Sequence, residues 1–145
     1  MAVNPAASGG TPQITGAIRQ AAQSTGISFD YLLTTAKIES NFNPSAQAST
    51  SSAKGLYQFI DQTWLGTMKQ DGAALGLGRY AGAIAKSADG HYDVSDPAMR
   101  AAILRLRSDP QVSAMLAGAL TRNNAALVSS NIGRQPSSGE LYICL

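Results

Sequence analysis

The chain has 145 residues, a length that suits one domain around one core. Charged residues make up only 14% of it and the formal net charge is +2, so nothing in the balance points to nucleic acid. No segment approaches the length of a membrane-spanning helix, and the polar surface must rest on Ser, Thr, Asn, Gln and Gly, which suits a carbohydrate cleft as readily as an ordinary secreted protein.

Residues 1–12 are small, polar and bear Gly and Pro; they read as a disordered lead-in or linker ahead of one domain over 13–145. They lack the basic start and apolar core of a signal peptide. Export would then require a leader already removed, another route, or a longer parent protein.

Ile14, Ala17, Ile18, Ala21 and Ala22 recur at helical spacing, and Gly26 is the expected C-cap. Ser28 can cap a second helix with Phe29, Leu32, Leu33 and Ala36 as its buried stripe and Glu39 in its last turn. Pro44 forbids its continuation, and 43–54 is a loop by composition. Asp61 reads as the N-cap of a helix whose core residues are Trp64, Leu65 and Met68.

Gly72, Gly76 and Gly78 interrupt the chain before a short Ala-rich helix over about 79–86. Asp96-Pro97 and Asp109-Pro110 each pair a capping acid with a first-turn proline. They start helices running to about Arg107 and about Ser129, the second with Val112, Met115, Leu116, Ala119 and Leu120 on one face. Arg100, Arg105 and Arg107 read as a solvated face. Ser137 and Glu140 fit a capping box for a final helix, which runs out at Cys144-Leu145 without a stop signal and reads as cut short. The expected class is all-α, with a minor β element near residues 55–60.

Only two glutamates occur, Glu39 and Glu140. Glu39 ends an apolar helical stretch and faces a polar loop, as a general acid would. Burial against apolar groups and the negative end of a helix both favour the protonated acid that such a role needs. The same spacing also fits an exposed glutamate beside Lys37 on a helix end.

Glycoside cleavage usually uses two carboxylates, and the neighbours offer none. Asp61 reads as a cap, Asp30 lies far up the same helix, and Glu140 fits a capping box. The substrate must then supply the second group. A muramyl sugar can: its N-acetyl oxygen stabilises the anomeric carbon and its 6-hydroxyl attacks, with Glu39 acting as acid and then as base. The product would be a 1,6-anhydro sugar.

After Gly55, which would let backbone approach a ligand, Tyr57 and Phe59 offer aromatic faces for sugar rings. Gln58 offers an amide donor and acceptor. A turn carrying two core aromatics is the alternative. His91 has no Cys or His partner at ligand spacing, so no metal site is expected, and no cofactor motif is present. Cys144, the single cysteine, can form no internal disulfide.

Glu39-Ser40-Asn-Phe-Asn-Pro44 followed by Gly55-Leu-Tyr-Gln-Phe59 resembles the soluble lytic transglycosylase (SLT) domain of the goose-type-lysozyme-like superfamily. The resemblance implies a lysozyme-like helical fold with a substrate groove, and cleavage of the MurNAc-β-1,4-GlcNAc bond of peptidoglycan. Glu39 matches the single catalytic acid/base, Ser40 its following serine, and Gln58 a groove glutamine. Ser49 is the chosen substrate-contacting loop serine, with Ser51 as the alternative.

Asp109–Met115, Asn124-Ala125 and Glu140–Tyr142 resemble a branch found in alphaproteobacteria and phage tails. The family's Ala-Tyr-Asn-Ala-Gly motif is absent, and Tyr142 is the candidate for its tyrosine beside the acid. The implied partners are peptidoglycan strands and a flagellar, secretion or phage-tail assembly. The implied location is the periplasm, another exported setting or a virion. Two other functions fit the residues: a peptidoglycan-binding or assembly module with little activity, and a hydrolysing lysozyme.

Overall fold

In the computed structural model, residues 11–132 are described, with side chains described as far as 130. They form a largely helical domain with a minor two-stranded β element, consistent with a lysozyme-like helical fold. The order is α1 (Pro12–Thr25), α2 (Phe29–Ser40), α3 (Asp61–Asp71), a 3₁₀ turn (Ala73–Leu75), α4 (Gly78–Ala83), β1 (Ala85–Lys86), β2 (Tyr92–Asp93), α5 (Pro97–Arg105), a second 3₁₀ turn (Leu106–Ser108) and α6 (Pro110–Ile132).

Local chemistry sets the helix boundaries. Thr11 accepts from the Ile14 amide ahead of Pro12, so α1 starts inside the expected lead-in, and Gly26 ends it in the left-handed region. Ser28 accepts from the Tyr31 amide at 3.3 Å and opens α2. Asp96 caps α5 through the Ala98 amide. Asp109 caps α6 through the amides of Gln111 and Val112.

Asp61 differs from expectation. It is the first residue of α3 rather than its cap, and Ile60 takes the cap position without a side-chain bond. Its carboxylate points to Arg107 instead, at 2.9 Å.

The centre of the domain is α6. Its segment from Val112 to Leu116 and on through Ala117, Ala119 and Thr121 is buried on nearly every side, more than the single apolar face expected. It packs most extensively on α1 and also meets α2 and α3. Trp64, fully buried, donates its indole N–H to the Ile103 carbonyl at 2.8 Å and so ties α3 to α5.

The Ala-rich helix is shorter than expected. α4 stops at Ala83, and Ala85–Lys86 pairs antiparallel with Tyr92–Asp93, with Ala85 opposite Asp93 and Lys86 opposite Tyr92. Residues 55–60, where the sequence suggested the β element, contribute a single bridge, Phe59 to Lys54, which itself also bridges Gln47. The final helix expected from Ser137, with Glu140, Tyr142 and Cys144, lies outside the described residues.

Candidate active site

α2 ends one residue after Glu39, and two successive left-handed residues terminate it: Asn41 with φ 51° and Phe42 with φ 62°. The helix is therefore stopped before Pro44 is reached. Asn tolerates this region, whereas Phe42 is strained there and is held by burial of its ring. Gln58, with φ 52°, is the third such residue. All three non-glycine positive-φ positions among the described residues fall between the end of α2 and the start of α3.

The 41–60 segment is shaped by backbone pairing and by one cation. Ala48 and Gly55 amides donate to the Ala53 and Ala46 carbonyls, and Lys54 and Phe59 exchange both backbone bonds. Arg107 reaches in from the α5–α6 junction. Its Nη1 donates to the carbonyls of Ser52 (2.7 Å) and Phe59 (3.0 Å) and pairs with Asp61, while its Nε donates to Leu104 (3.0 Å).

Burial pushes the Arg107 guanidinium down from its ordinary value and the Asp61 charge opposes this; it remains a cation. Arg107 is thus an internal clamp on the loop, not part of a solvated face. Arg100 is half-exposed and does lie near carboxylates, 3.6 Å from Asp93 and 3.9 Å from Asp61.

The same junction explains Gly55. Its φ is +89°, and a Cβ there would fall 2.1 Å from the Arg107 carbonyl oxygen. The close approach that this glycine permits is to the protein's own backbone rather than to a ligand.

A cleft of about 240 Å³ opens between α2, the loop, α3 and α6, lined by Thr35 and Glu39, by Tyr57 to Ile60, and by Thr63 and Leu120. Of the expected site residues, it gathers Glu39, Tyr57, Gln58 and Phe59. Ser40 is not among the lining residues; its hydroxyl donates back to the Ala36 carbonyl at 2.9 Å. Ser49 is exposed on the loop and outside the lining, and Ser51 accepts from the Ala53 amide. Tyr142 lies outside the described residues.

Glu39 is exposed rather than buried against apolar groups. Its place in the last turn of α2 is as expected. Gln58 uses its amide nitrogen on the loop, donating to Ala46 (3.1 Å) and Gly55 (2.9 Å), which leaves the side-chain oxygen as its acceptor. Tyr57 and Phe59 are 7% and 4% exposed, too little for an open stacking platform. Phe59 meets Trp64 edge to face at 4.9 Å.

Sequence reasoning missed Thr35, Ile60, Thr63 and Leu120. Thr35 carried a usable signal, since it precedes Glu39 by one helical turn and must share its face. Leu120 reaches the cleft only through tertiary packing.

The Tyr57 hydroxyl donates to the Leu32 carbonyl of α2 at 2.9 Å. Burial pushes this phenol well above its ordinary value. The folded chain therefore holds the proton more tightly than the unfolded chain, whose tyrosines ionise at about pH 10. The stability this contributes is complete below that pH and is lost as pH rises through and beyond it. Denaturant titrations from pH 8 to 11.5 should show stability falling above about pH 10, with a shallower slope in Tyr57→Phe. Identical slopes in the two proteins would contradict the assignment.

The cleft thus presents one carboxylate at a helix end beside a strained loop, with hydroxyls and an amide oxygen around it. Residues 16–99, which include Glu39 and the whole 41–60 loop, match the family described as Transglycosylase SLT domain. That match covers more than half of the chain, and the protein belongs to the transglycosylase SLT domain family.

Proposed function

We propose that the protein is a peptidoglycan lytic transglycosylase that cleaves the MurNAc-β-1,4-GlcNAc bond with Glu39 as its single acid/base. The observation that carries this reading is that Glu39 is the only carboxylate lining the cleft among the described residues. A two-carboxylate mechanism would need a second acid within about 5–9.5 Å on the opposite bank. The opposite bank offers Tyr57, Gln58 and Thr63 instead.

Glu39 protonates the glycosidic oxygen as the bond to the MurNAc anomeric carbon breaks. The neighbouring N-acetyl oxygen stabilises that carbon. The MurNAc 6-hydroxyl then attacks it, and the Glu39 carboxylate takes the hydroxyl proton. The acid is regenerated and no water is consumed. Ser40 and Ser49 of the proposed substrate-contacting set would need substrate to reach beyond the cleft lining; Gln58 would act through its oxygen, and Tyr57 and Phe59 as the cleft wall. The substrate lies beyond the cytoplasmic membrane, so the protein acts in the periplasm or after another form of export, in the service of an assembly that must pass the wall.

Digestion of purified sacculi followed by mass spectrometry tests this. The expected products end in 1,6-anhydroMurNAc. Reducing ends alone would replace the reading with that of a hydrolysing lysozyme, and binding without soluble products with that of a wall-binding module.

A further inference from the structure

The cleft around Glu39 has few hydrogen-bond donors left to give, because three of its polar side chains turn their hydrogens into the protein. The Thr35 hydroxyl donates to the Tyr31 carbonyl at 2.8 Å and the Tyr57 hydroxyl to the Leu32 carbonyl at 2.9 Å. The Gln58 amide nitrogen donates to the Ala46 and Gly55 carbonyls. What these groups still offer is oxygen lone pairs. Thr35 and Tyr57 are deeply buried, so the Gln58 oxygen is the acceptor a ligand can reach. Thr63 carries the one other hydroxyl in the lining.

Charge runs the same way. Among the described residues no lysine, arginine or histidine lines the cleft, and Glu39 is its single carboxylate. Lys37 stands two positions before Glu39, and residues so spaced do not face each other on a helix. Glu39 also sits at the C-terminal end of α2, where the helix carbonyls present the negative end of the dipole. Elsewhere, Asp61, Asp71 and Asp93 lie beside Arg107, Arg122 and Arg100, and Asp96 and Asp109 cap helices. The chain as a whole carries +2, so the cleft is an electronegative spot on a weakly basic protein.

Such a cleft favours a ligand that brings donors and positive charge. An amino sugar whose acetamido group has become a free amine does both, since an ammonium carries three N–H donors and no acceptor. We propose that the Glu39 cleft also binds de-N-acetylated glycan, its ammonium on the Glu39 carboxylate and the Gln58 oxygen, and holds it uncut. The uncut outcome rests on the transglycosylase reading. A free amine has no N-acetyl oxygen to stabilise the anomeric carbon, and its charge opposes the positive charge that develops there. Glu39, engaged as a carboxylate, has no proton to give. De-N-acetylated glycan is thus an inhibitor of this site.

The test titrates the full chain calorimetrically with chitohexaose and with the fully deacetylated glucosamine hexaose, in slightly acidic, low-salt buffer that keeps the amines protonated. The glucosamine hexaose should bind about fivefold more tightly, the gain expected of one solvent-accessible ion pair with its hydrogen bonds. That preference should shrink in high salt. Glu39→Gln and Glu39→Ala, each checked for the buried emission of Trp64, should bring the ratio to one or below. Mass spectrometry should recover the glucosamine hexaose intact. A ratio of one or less in the parent, or a preference that survives both Glu39 substitutions, overturns the proposal and leaves the transglycosylase reading standing. Cleavage of the glucosamine hexaose overturns the proposal together with the assistance assigned to the N-acetyl oxygen. Absence of binding by either oligomer overturns the cleft as a glycan site altogether.

Discussion

Glu39→Gln is expected to abolish release of anhydromuropeptides from sacculi while leaving the fold intact. The amide keeps the size of the side chain and loses both the proton it must give and the basicity it must use afterwards. Removal of a positioned acid–base group costs about 10²–10⁴-fold. The upper end applies here, because one residue serves both half-reactions and no other carboxylate lines the cleft among the described residues. That is about 5 kcal/mol of transition-state stabilisation. Glu39 is exposed and makes no ion pair among the described residues, so thermal stability should stay within about 0.5 kcal/mol of the parent, as for other surface substitutions. Turnover by Glu39→Gln within tenfold of the parent would remove Glu39 from the mechanism.

Arg107→Met should have the largest effect on stability. Methionine matches much of the apolar stem and abolishes every polar contact at once. The Ser52 and Phe59 carbonyls lose their donor, and the Asp61 carboxylate, 31% exposed on its side chain, loses its 2.9 Å partner. Breaking a buried pair costs about 3–5 kcal/mol; the partial exposure of Asp61 places the expectation at about 3 kcal/mol, or about 10 °C in Tm. Urea unfolding followed by Trp64 emission measures it. Arg107→Lys should recover only part, since an ammonium cannot fork between two carbonyls and a carboxylate. A midpoint for Arg107→Met equal to that of the parent would show that the loop holds itself.

Much of the helical frame was legible because local chemistry wrote it. Ser28, Asp96 and Asp109 cap where polar side chains precede apolar periodicity, and Gly26 stops α1 because a left-handed residue is needed there. The Glu39 and Gly55–Phe59 motifs do face one another across a cleft.

What stayed hidden depends on partners distant in sequence. Arg107 resembled its neighbours Arg100 and Arg105, and nothing local marks that its contacts lie 48 and 55 residues away. The strands of the hairpin are two residues each, too short to show alternation, so an Ala-rich run suggested helix as far as residue 86. Gly55 was read toward a ligand because the carbonyl that excludes its side chain belongs to Arg107. The expected burial of Glu39 failed for a related reason: it shares a face of α2 with buried Leu32, Thr35 and Ala36, but in the last turn that face opens onto the cleft, and only tertiary packing decides where the opening falls.

The clamp has a consequence for how the domain can be divided. The family match ends at Met99, inside α5. Beyond it lie the Ile103 carbonyl that receives the Trp64 indole, the Arg107 cation that secures the loop, and α6, against which α1 is packed. A fragment bounded by the matched residues would keep Glu39 and the Gly55–Phe59 segment and lose the helix on which α1 packs most extensively. The stretch that carries the family signature is shorter than the packed unit, and a transplant of the Glu39 cleft into another protein must take α6, with Leu120 of its lining, along with it.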